Sequence, residues 1–147
     1  MRVFMLGLLL SSYALVSCSQ DIPASKVPSV VQNAFKMEFA EAVDVEWEKK
    51  NKEYEADFEV GTTDYTALFD ASGKMLVYKQ DIEINELPAE INTTLQKDFA
   101  DYTLDDADKL VKDGETYFQV ELEGGLMEKK EVFSPTGELR EDIRYWD

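Results

Sequence analysis

The chain has 147 residues, 44% of them hydrophobic, and a net charge of -16. That length suits one domain or two half-domains sharing a core, and that charge repels phosphate backbones, which argues against nucleic acid and bare anionic lipid as partners. There is no histidine and a single cysteine, Cys18. These absences exclude Ser-His and Cys-His catalysis, a structural disulfide and a cysteine-based zinc site.

Residues 1–17 open on Met1-Arg2 and continue as an apolar run too short to span a bilayer. This is the pattern of an export signal. Leu15-Val16-Ser17-Cys18 reads as a bacterial lipobox, which makes Cys18 the lipidated residue and 18–22 a polar tether. Ser17 and Ser19 also fit ordinary cleavage after Ser19. Both readings export the protein, to the periplasm or the outer membrane, with membrane contact only through a lipid anchor.

Residues 23–82 form the first predicted unit. Pro28 suits a first helical turn, with Ser25 or Ser29 as cap. Val27, Val30, Val31, Ala34, Phe35 and Phe39 fall at helical spacing, as a stripe that lies on a sheet. From Ala42 the period becomes two. Val43, Val45 and Trp47 alternate with acids, and after a turn Tyr54, Ala56, Phe58 and Val60 do the same. Tyr65, Ala67 and Phe69 mark a third strand, Gly73 a tight turn, and residues 75–82 a fourth strand.

Residues 83–147 repeat this order. Leu87, Ile91, Leu95 and Phe99 return the helical stripe at an offset of 60. The segment Trp47–Gly73 returns without a gap as Val111–Gly137, at an offset of 64, so four extra residues are expected between Phe99 and Ala107. Asp113-Gly114 signals a hairpin. Lys129 and Glu131 stand where Tyr65 and Ala67 stood, and residues 139–146 are expected as a last strand. The predicted fold is α+β: two αββββ repeats in one continuous antiparallel sheet, both helices on one face, the other face open.

The order Val27-Pro28 and Leu87-Pro88, helix, Val45 to Lys49, Tyr54 to Phe58, Phe69 to Lys74 resembles the PepSY-like, beta-lactamase-inhibitor-like family, in tandem over the mature chain. The resemblance implies an exported protein of Bacteroidetes envelopes without catalytic residues. It also implies a fold shared with proteins that grip other proteins through the sheet face. Ser134, where the family often has Asp, and Lys129 and Glu131 depart from the pattern.

Alternation places Glu55, Asp57, Gln119, Glu121 and Glu123 on the open face, and Tyr117, opposite in parity to Phe118, beside them. Paired carboxylates suit glycoside hydrolysis, but acids at every second residue also simply solvate a strand. The expected partner-binding residues are therefore Tyr117, Glu55, Asp57, Gln119 and Glu121. The expected function is a non-enzymatic binding protein, an inhibitor or modulator of an envelope protein or peptidase, docking a basic protein or peptide without a cofactor. The alternative is a small-solute or calcium binder, with Asp101, Asp105, Asp106 and Asp108 as the densest acidic run.

Overall fold

The computed structural model describes residues 19–147; the expected leader and the expected lipidation of Cys18 lie outside them. One antiparallel sheet contains eight strands in chain order: β1 Ser19–Asp21, β2 Val43–Lys50, β3 Glu53–Val60, β4 Thr63–Asp70, β5 Met75–Asp81, β6 Thr103–Lys112, β7 Glu115–Gly124 and β8 Met127–Phe133. Helix α1 spans Ser29–Glu38 and α2 spans Ala89–Asp98. Phe58, Tyr65, Gln80, Lys109, Phe118 and Phe133 stand opposite one another strand after strand. Opposed residues share a face. Phe35 of α1 meets Phe58 edge-on at 4.9 Å, and Ile91 and Leu95 of α2 cluster with Phe118 and Phe133. Both helices therefore cover the same face.

The predicted stripe is buried at Val27, Val31 and Phe35 and repeats at Leu87, Ile91 and Leu95. Val30 is instead half exposed. Neither Ser25 nor Ser29 caps α1. Pro28 occupies the cap position, and no side chain caps the helix. Gln32 Nε2 donates to the Ala24 and Val27 carbonyls at 2.9 Å, tying a 3-10 turn at Ala24–Lys26 to the helix. The first core is aromatic, with Phe35 ringed by Trp47, Phe58 and Phe69. The second is largely aliphatic.

The four extra residues lie elsewhere than expected. Val43 opens β2 and Thr103 opens β6, still at an offset of 60. Trp47 faces Ala56, while Ala107 faces Val120. Ala107, not Val111, is thus the counterpart of Trp47. The insertion lengthens the β6–β7 hairpin, whose strands have 10 residues each against 8 in β2 and β3. It adds the opposed pair Leu110 and Tyr117 on the uncovered face.

Two ends of the chain also differ from expectation. Residues 19–21, expected as a tether, pair with β2 as an edge strand. The Ile22 amide donates to Trp47 and the Ile82 amide to Ala107, so β1 is the counterpart of the end of β5. Residues 139–146 do not form a strand. The bridge Phe133–Leu139 mirrors the Phe69–Met75 pairing, and then the chain leaves the sheet. Continued pairing would place Asp142 where Tyr78 sits against the first core, burying a carboxylate among apolar groups. β8 thus remains an edge. Lys129, on its helix side, holds its ammonium 5.4 Å from the Phe99 ring and 5.2 Å from the Tyr102 ring, so a charge at the position of a core tyrosine is accommodated.

Gly73 and Gly137 close equivalent turns with φ of 86° and 79°. A Cβ at Gly137 would come within 2.6 Å of the Glu90 carbonyl oxygen on α2, and one at Gly73 within 2.9 Å of the Val30 carbonyl oxygen on α1. These turns set the distance between sheet and helix. Gly137→Ala is expected to destabilise the protein by about 2–4 kcal/mol, since it combines positive-φ strain with a backbone clash. Urea denaturation measures this, and Gly61→Ala, where a Cβ has open space, should cost less.

Candidate binding face

The face without helices is divided in two by the C-terminal tail. After a turn at residues 140–142 the tail crosses the extended hairpin, and Ile143, Tyr145 and Trp146 pack on Leu110, Tyr117 and Val132. Gln119, fully buried, grips the main chain of Trp146 through both ends of its amide. Its Nε2 donates to the Trp146 carbonyl at 2.9 Å and its Oε1 accepts from the Trp146 amide at 3.2 Å. Gln119 Nε2 also donates to Asp108 at 2.7 Å, and Lys79 pairs with Asp108 at 3.5 Å. Farther along, Lys130 bridges Glu121 at 3.0 Å and Asp147 at 2.6 Å, and the Tyr145 hydroxyl donates to Glu121 at 3.0 Å. The hydrogen bonds from Lys130 and Tyr145 hold Glu121 below the usual carboxylate range.

The structure therefore splits the expected binding residues. Tyr117, Gln119 and Glu121 share the predicted face but serve the tail. Tyr117 is 5% exposed, its ring under the Arg140 guanidinium at 5.1 Å and its hydroxyl donating to Glu115. Alternation gave its face; the cover comes from Arg140 and the tail beyond it, and no local signal marks it. Glu55 and Asp57 lie on the uncovered half. Asp57 accepts from the Thr66 hydroxyl at 2.8 Å, and Glu55 is buried and paired with Lys50. Burial pushes the Glu55 carboxyl up.

Around them the carboxylates are crowded. Asp21, Glu48 and Glu55 stand opposite one another on β1, β2 and β3, and Glu46 stands opposite Asp57. Like charges directly opposed are destabilising. Lys50, with Glu48 at 3.9 Å, is the cation that the sheet supplies there. Asp21, Glu46, Glu48 and Asp57 line a shallow hollow of about 460 Å³ at the β1–β2 edge. Glu46 and Asp21 were not singled out in the sequence, although the alternation that marked Glu55 extends to Glu46. At the middle of the sheet Asp81 faces Asp108, and burial together with that neighbour pushes Asp81 up to about 6. The acidic run 101–108 does not converge, and among the described residues no group of three or more His, Cys, Asp or Glu could hold a metal. No described helix is long and apolar enough to cross a membrane.

One eight-stranded antiparallel sheet with two helices on one face and none on the other is the BLIP-like α+β architecture. The family model described as "Putative beta-lactamase-inhibitor-like, PepSY-like" matches residues 15–77 and 52–141, and the chain belongs to that family. Among solved structures it is similar to a BLIP-like protein from Bacteroides fragilis, at 28% identity and a TM-score of 0.69 over 77% of this chain and 83% of that one. It is also similar in fold to a protein of Bacteroides eggerthii described as a putative periplasmic protein, at 20% identity and a TM-score of 0.72 over 77% and 85%. No curated protein matches.

Two outcomes follow from this geometry. Gln119→Leu leaves the Trp146 amide and carbonyl short of partners; a loss of about 1–3 kcal/mol and faster amide exchange at Trp146 are expected. For Asp81, the folded carboxyl binds its proton more tightly than the unfolded one. Its contribution to stability is therefore present below about pH 4 and is lost as pH rises through about 6. Asp81→Asn should raise the melting temperature at pH 7 more than at pH 4, as followed by circular dichroism.

Proposed function

We propose that the protein is an exported, lipid-anchored, non-enzymatic binding protein that docks a basic protein or peptide on the half of the sheet face that its tail leaves bare. The observation that carries this reading is the row of opposed carboxylates Asp21, Glu48 and Glu55, with Glu46 opposite Asp57 beside it. A folding sequence has no reason to gather like charges across three strands when cations could alternate with them. A cationic partner converts that repulsion into attraction and speeds encounter. The leader sequence supports export, and so does the similarity to a protein described as periplasmic. The similarity to a BLIP-like protein supports inhibition as the result of docking when the partner is an enzyme. The cation-binding alternative lacks convergent ligands among the described residues.

The test is affinity capture from an envelope extract of the source organism, with the protein and its Glu46→Lys, Asp57→Lys variant as baits. A basic protein retained by the first, lost by the second and released by added salt is the expected result. Equal retention by both baits would sink the acidic-face reading. Tyr117→Ala with Glu121→Lys is a separate bait, expected to loosen the tail without reversing the charge of the bare half.

A further inference from the structure

Beside the tail the bare half of the face holds a groove of about 530 Å³. Its floor is one cross-strand row: Glu55 on β3 faces Leu68 on β4, Leu68 faces Val77 on β5, and Val77 faces Lys112 on β6. Arg144, Tyr145 and Trp146 of the tail also line the groove. With strands about 4.8 Å apart, the two ends of the row are about 14 Å apart.

Those ends carry opposite charges, with Lys50 beside Glu55 at one end and Asp142 and Asp147 near Lys112 and Arg144 at the other. Glu55 is 4% exposed; one carboxylate oxygen pairs with Lys50, while Oε2 accepts no hydrogen bond from any described group. A buried carboxylate oxygen without a donor is costly. At the other end, Lys112 and Arg144 form no ion pair within 4.0 Å among the described residues, in a chain with 31 acids and 15 bases. Between the ends the floor is apolar. The lengthened hairpin supplies Lys112, and the tail supplies Arg144; neither device has a counterpart in the first half.

We propose that this groove binds a short peptide with free ends, laid across the strands with its ammonium on Glu55, its carboxylate on Lys112 and Arg144, and its apolar side chains over Leu68 and Val77. An extended chain covers about 3.5 Å per residue, so about four residues span the row. Charge-assisted hydrogen bonds at both ends supply direction. The last torsion of a glutamate is soft, so the Glu55 carboxyl can turn toward the peptide ammonium, sharing its oxygens between that donor and Lys50. This inference rests on the binding-protein reading above and narrows its ligand to peptide ends.

The probe is the tetrapeptide Ala-Leu-Val-Ala, titrated by calorimetry as the free peptide, the N-acetylated form and the C-amidated form. The free form is expected to bind saturably at one site, and either cap is expected to weaken it at least about tenfold. Glu55→Gln should erase the effect of acetylation only. Lys112→Ala with Arg144→Ala should erase the effect of amidation only. The first substitution is nearly isosteric and the other two are at exposed positions, so a preserved melting curve shows that folding survives. Equal affinity for free and capped peptides would overturn the proposal, as would no saturable heat up to about 10 mM. Affinity regained by an internal lysine in a doubly capped peptide would also overturn it, assigning Glu55 to a partner's side chain. If peptide binding fails while Glu46→Lys, Asp57→Lys still abolishes capture, only the groove is lost. If capture fails while end-dependent binding persists, only the acidic docking surface is lost.

Discussion

The pairing of β5 with β6 makes one molecule of two repeats. Residues 77–81 stand against residues 112–108, and the rows that run from one repeat into the other pass through this seam. On the helix side it joins Tyr78 to Val111 and Gln80 to Lys109, between the two cores. On the other side it joins Val77 to Lys112 and sets Asp81 against Asp108. Two carboxyls side by side oppose the seam electrostatically, and Asp81 relieves this by holding a proton into the weakly acidic range. The backbone hydrogen bonds and the apolar rows beside the pair outweigh what remains.

From that seam the two faces diverge in logic. The helix face is built twice by one recipe: a Pro-led helix, a buried stripe and a glycine turn pressed against the first helical turn. The uncovered face breaks the repeat. Four inserted residues lengthen one hairpin, and after the Phe133–Leu139 bridge the chain leaves the β8 edge. An aromatic tail that cannot continue that pairing without burying Asp142 gains most by lying on the new apolar surface. Leu110, Tyr117 and Val132 are that surface, and the Gln119 amide satisfies the tail's main chain where it would otherwise be buried without partners. One half of the face becomes a third, small core. The other half stays open, with Lys50 among its acids.

The edges of the sheet follow the same economy. β1 is three residues long, and β8 carries Glu128, Lys129, Lys130 and Glu131 in succession. A short edge and a charged edge both discourage pairing with another chain.

The sequence alone determined the two helices, their buried stripes, the alternation that assigns most strand residues to a face (Val43, which a bulge pairs with Glu59 on the face without helices, is an exception), and the acidic character of the face opposite the helices. These are local properties, fixed by periods of 3.6 and 2. It also determined the parity of Tyr117 and the odd placement of Lys129. Only the tertiary structure decided where the insertion lies, because the gapless match of Val111 to Trp47 is interrupted in space by pairing register, which sequence similarity does not measure. Only it decided that residues 19–21 pair and residues 139–146 do not, since edge pairing depends on which neighbour is free. And only it decided that Tyr117, Gln119 and Glu121 serve the tail while Glu55 keeps an unanswered oxygen in a groove. Cover and vacancy on a face are set by segments distant in the chain, and no residue's own neighbours in sequence encode them.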